Sequence, residues 1–150
     1  MLEALEAFGP AAFFRTSVVL YPLVNLAHVL SIGALVTTAL LMDLRILGLG
    51  RGVAVEMAVH YLRPIAVGAL VLAVVTGFTL FTVQPVEYFG NSAFRVKMLL
   101  LAAALLNAAV FTSFRAHREP SRPGARAMAV VSAGLWISVA VAGRFIGFLE

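Results

Sequence analysis

Cysteine is absent from this chain of 150 residues. Disulfides, thiolate metal centres and a cysteine nucleophile are therefore excluded. Charge is the next scarcity: 12% of residues are charged and 62% hydrophobic, where an ordinary soluble domain carries about 25% charged residues. A water-soluble fold of this size must cover its surface with polar groups, and this chain has too few. Lipid has to be the solvent for most of its surface. The length suits one domain, expected as a single integral membrane unit over 1–150.

Catalytic signatures are missing too. The sequence has no HExxH, no paired carboxylates and no nucleophile–base pair, so no reaction class is expected. Gly48-Leu49-Gly50-Arg51-Gly52 follows no strand and precedes no GK[ST], and reads as a flexible connector rather than a phosphate loop. Without an internal repeat, four spans do not readily alternate access as a transporter. The net charge of +4 and pI near 10.4 do not imply nucleic acid, because the basic residues lie in short patches between apolar runs. No cleavable signal peptide is expected: Glu3 and Glu6 make the N-terminus acidic, and the first long apolar run, after Arg15, is too long for a signal.

What is present is four apolar runs, each near the ~20 residues that cross a hydrocarbon core. They cover 17–42, 64–83, 98–114 and 127–148. Within a bilayer every backbone amide must be bonded inside its own segment, so these runs are helices. The expected fold is all-α, a transmembrane four-helix bundle. Residues 2–14 form a short amphipathic segment suited to an interfacial helix. Residues 53–62 either do the same or extend span two, with a kink at Pro64.

Four spans place both termini on one side. Arg45, Arg51, Arg63, Arg115, Arg118, Arg122 and Arg126 flank the other side, against Arg15, Arg95, Lys97 and Arg144, so both ends are expected outside the cytoplasm. Alanines in span three, and Gly143 and Gly147 in span four, permit close helix approach and a homodimer seam.

A few polar residues need a reason to be there. His28 lies near the middle of span one, where an ionisable group is costly and by default a functional hypothesis. Tyr21, Asn25 and His28 share one helix face by their i, i+4, i+7 spacing, expected to look into the bundle. Two readings stand: a neutral imidazole bonded to another helix, with Asn107 at similar depth as partner, or a ligand to a cofactor. Arg144, between glycines 143 and 147, either snorkels to the headgroups, pairs with Glu87, or joins Lys97 and Arg95 in an anion clamp at the outer mouth. His60 and His117 lie roughly 20 Å from the depth of His28 and read as interfacial. Asp43 caps the inner end of span one, with Arg45 or Arg63 to neutralise it. Thr76, Thr79 and Thr82 back-bond their own helix, and Trp136 is packing.

The pattern from His28 through Gly33 to Asp43-Leu44-Arg45-Ile46-Leu47-Gly48, with Thr76-Gly77, Tyr88, Asn91, Phe94-Arg95-Val96-Lys97, Asn107 and Ala142-Gly143-Arg144, resembles an uncharacterised family of small bacterial inner-membrane proteins. More distantly the chain is similar to four-helix membrane cytochromes b and copper-resistance D-type membrane proteins, which place histidines inside a helix bundle. Related sequences often carry a histidine after the stretch Asn107 to Phe111. This chain has Thr112 there, with His117 five residues on.

The resemblance and the residues together imply an outer-facing pocket for an anionic or lipophilic cofactor. Haem b is the sharpest version, with His28 on the iron, Lys97 and Arg144 on the propionates, and Asn25 and Asn107 lining the site; electron transfer would be the activity. A quinone- or proton-handling subunit, with His28 and Asn107 on the headgroup, is the second expectation. A purely structural subunit of a larger membrane complex is the third.

Overall fold

The computed structural model describes residues 17, 19–50, 52–83, 85–113 and 123–148. The amphipathic segment 2–14, Arg15, Arg51, Arg115, His117, Arg118 and Arg122 lie outside the described residues. Within them are five helices and no strand: α1 Leu20–Leu47, α2 Val55–Val83, α3 Pro85–Gly90, α4 Ser92–Ser113 and α5 Pro123–Phe145. Four of these (all but α3) are long and apolar enough to cross a membrane. The chain is a multi-pass membrane protein with an all-α, four-helix bundle fold.

The helices overrun the hydropathy-based spans at several ends, and each overrun has a local cause. α1 continues past Met42 through Asp43 and Arg45 to Leu47. It stops where Gly48 takes a left-handed φ of 104°, and Leu49 N–H bonds the Leu44 carbonyl at 3.0 Å, a glycine-terminated helix end. Arg45 Nε then donates to the Val53 carbonyl, tying the end of α1 to the approach to α2. Hydropathy drops at these charges, but the backbone has no reason to unwind there.

α2 begins at Val55, nine residues before the predicted span, and runs unbroken through Pro64. Of the two readings for 53–62, extension of span two is the one adopted. Proline deprives the His60 carbonyl of its helical donor. At 29 residues, α2 is about 43 Å long against a core of about 30 Å, so this gap falls near the water-rich interface.

α4 starts six residues before the predicted third span because Asn91 caps it. The Asn91 Oδ1 accepts from the amides of Ala93 (2.9 Å) and Phe94 (3.3 Å), which are otherwise orphan donors. Its Nδ2 donates to the Ile146 carbonyl at 3.2 Å, joining the start of α4 to the end of α5. Where apolarity alone marks only a break at Pro85, the chain forms the short helix α3. Proline opens it, as it opens α5, where its missing N–H costs nothing.

Packing follows an open arc, α2 on α1, α1 on α5 and α5 on α4; α2 and α4, at the two ends of the arc, do not form a helix pair. A small core of Leu35, Ala39, Ala66, Ala69, Ala104 and Trp136 joins all four spans. Four of those six are alanines, which let backbones approach where no hydrophobic effect drives them together. Trp136 is buried among them, as its depth suggested. Between α2 and α4, Phe81 stacks on Phe94 with ring centroids 5.6 Å apart. Tyr88 of α3 leans on both rings. This aromatic group bridges the ends of the arc at one end of the molecule; toward the other end the four spans line a cavity.

Candidate functional site

His28 is half-buried on α1 and meets α2 rather than α4. Its Nδ1 lies 3.0 Å from the Thr76 Oγ1. Asn107, expected as its partner, instead donates to the Met128 carbonyl of α5 at 3.3 Å. The reason is the packing order: α1 lies between α2 and α5, so α4 does not reach the His28 face at that level.

Thr76 fixes the state of the imidazole. Its single hydroxyl proton goes to the Leu72 carbonyl of its own helix, 2.6 Å away. Toward His28 that oxygen can only accept. With the Thr76 proton on Leu72, the ring proton of the neutral imidazole belongs on Nδ1; the ring also bonds the Ala73 backbone. Back-bonding by Thr76 was expected, but it is the precondition of this second role.

Gly77 makes the seat. A β-carbon there would fall 2.8 Å from the His28 Cε1, closer than packed atoms come, and 3.4 Å from Nδ1. The ring thus lies on bare backbone, with Thr76 beside it.

Lys97 is partly buried at the same end of the bundle. Its stem runs along Gly143, whose added β-carbon would meet the Lys97 Cε at 3.5 Å. The bare face of Gly143 is thereby occupied within the chain. Arg144 points away: it is exposed, with its guanidinium 4.9 Å above the Phe148 ring. Arg95 and Glu87 are exposed as well. Asn25 is also exposed, although it shares a helix face with His28. His60 is exposed beside Tyr61, in keeping with an interfacial role.

The opposite half of the bundle holds a cavity of about 450 Å³ lined from all four spans. Leu35, Leu70 and Trp136 close its deep end. Nearer the α1–α2 turn its lining includes Asp43, Arg63, Asn107, Thr112 and Ser132. From Leu35 to Ile46 along α1 it extends about 16 Å at helix rise.

Asp43 is 6% exposed. Ser132 is its hydrogen-bonding neighbour, and its Oδ2 has no partner. Neither Arg45 nor Arg63 neutralises it: Arg45 is turned to Val53, and Arg63 makes no ion pair with it.

The five residues singled out from sequence are thus divided. His28 and Lys97 share one end of the bundle, Asn107 lines the cavity in the other, and Asn25 and Arg144 face outward. No three His, Cys, Asp or Glu side chains converge among the described residues. Sequence reasoning gave Thr76, Gly77 and Ser132 no part in a site. The one signal for Asp43 was its place on the stripe that carries Ser31, Leu35, Ala39 and Ile46, all of them buried. No protein-family model, curated protein or solved structure matches the chain.

Proposed function

We propose that this is a membrane-embedded binding protein for a lipophilic molecule with a hydrogen-bonding head, held in the cavity at Asp43. One observation carries the reading: a carboxyl group that is 6% exposed and lacks a partner at Oδ2 lines a cavity with an apolar deep end. A buried polar atom without a partner costs about 1–3 kcal/mol. A ligand donor reaching that carboxyl removes the penalty, and rotation about the soft terminal torsion of aspartate presents either oxygen to it. The volume of about 450 Å³ lies within the ~300–1,000 Å³ of small-molecule sites.

The free acceptors in the lining, Asp43 Oδ2 and Asn107 Oδ1, favour a head that donates. A reduced quinone or a hydroxyl- or ammonium-bearing lipid meets that requirement. The missing α2–α4 helix pair offers entry from the bilayer. Haem b has one supporting feature, a His28 oriented through Nδ1 by Thr76, as iron-binding histidines are held by their second nitrogen. It lacks a second ligand at that depth, and Arg144 faces away from any propionate. We place the protein in the bacterial inner membrane with both termini outside. Taking Lys97 out of the charge comparison, as a bundle residue, strengthens that orientation.

The test is organic extraction and mass spectrometry of detergent-purified wild type and Asp43→Leu. Wild type is expected to carry a lipophile in about one-to-one ratio, and the variant to lose it while keeping its helix content. Leucine removes the penalty of the partnerless Oδ2 but leaves the Ser132 hydroxyl without its acceptor, so the two effects oppose each other and stability is expected to change little. Wild type without a retained lipophile overturns the reading and favours an assembly subunit.

A further inference from the structure

Asp43 and Arg63 line the same cavity from neighbouring helices, yet they form no ion pair. Opposite charges that share a cavity without meeting leave one position for a cation and another for an anion. We infer that the occupant is a zwitterionic phospholipid with a primary ammonium, its amine on Asp43 and its phosphate on Arg63. This rests on the cavity reading above and names its ligand class.

Three features support it. The first is depth. Asp43 is four residues from the end of α1, and Arg63 is eight from the start of α2. Both helices exceed the ~30 Å core, so these residues fall near the level of lipid headgroups. The second is the shape of the cavity. Its charged groups lie toward that surface, and Leu35, Leu70 and Trp136 lie toward the midplane, in the order of a lipid's own head and chains. The third is chemistry. Arg63 is an exposed residue, and its guanidinium matches phosphate oxygens two at a time. Asp43 is buried beside Ser132 and takes a hydrogen-bond donor, most strongly a charged one, which a primary ammonium supplies and a trimethylated one lacks.

The experiment uses delipidated full-length protein in detergent, titrated with phospholipids of identical chains and different heads. Bound lipid is counted by native mass spectrometry. Phosphoethanolamine lipid is expected to bind roughly tenfold or more tightly than its N-trimethylated counterpart or a phosphoglycerol lipid, the scale of one charge-assisted hydrogen bond. Asp43→Asn and Arg63→Gln are each expected to remove most of that preference.

Equal binding of all heads overturns the inference and leaves the cavity reading standing. So does a quinol that displaces the lipid in an Asp43-dependent manner. An Arg63→Gln variant with unchanged preference overturns the two-point arrangement. If no lipophile binds the wild type, both readings fall. Should Asp43→Asn not fold, the headgroup series in wild type decides the matter alone.

Discussion

Gly77→Ala isolates the contact that holds the imidazole. The new methyl group would lie 2.8 Å from the His28 Cε1, and the ring cannot slide away without stretching its 3.0 Å bond to Thr76. Overpacking of this kind costs about 1–3 kcal/mol, and a hydrogen bond between membrane helices contributes about 0.6 kcal/mol. Alanine is otherwise the better helix former by about 1 kcal/mol. The net expectation is a loss of about 1–2 kcal/mol. In a His28→Ala background the clash and the bond are both gone, and Gly77→Ala should be neutral or stabilising. The difference between backgrounds, about 2 kcal/mol, is a coupling energy of the size seen for residues in contact. Unfolding in mixed micelles, followed by the fluorescence of the single tryptophan, Trp136, in the core, measures all four corners of the cycle. Equal destabilisation by Gly77→Ala with and without His28 would refute the seat.

Two further outcomes follow from the architecture. Asn91→Ala removes the cap of α4 and its tie to Ile146, costing about 0.5–2 kcal/mol as cap losses do; hydrogen exchange should quicken at the Ala93 and Phe94 amides while the Gly48 turn is unchanged. Because the chain has no native cysteine, single substitutions report topology cleanly. With both termini outside, Phe89→Cys should label in intact cells and Leu49→Cys only after permeabilisation; the reverse pattern overturns the orientation.

His28 was identifiable because a polar group in mid-span is conspicuous against apolar neighbours. Its partner was not, since Asn107 and Thr76 are both plausible at that depth, and depth is all that spacing supplies. Asp43 was passed over for the opposite reason: near a helix end, among arginines, an acid looks paired. Arg144 had several readings, and it is the outward one, over Phe148, that is adopted. Gly77 left no trace beyond its place beside Thr76, because what it contributes is the absence of an atom.

Composition and run length alone settled the solvent and the secondary structure. An apolar stretch of about 20 residues in lipid has no other way to satisfy its amides than to bond them internally, and that requirement is local. Which polar groups meet is not local. It depends on the rotation of each helix and on the order α2, α1, α5, α4 around the arc, set by small residues packing against backbones with energies too even along the chain to be read from spacing. Tertiary packing therefore decided that His28 rests on Thr76 and Gly77, that Lys97 lies along Gly143, and that Asp43 lines a cavity without an ion pair.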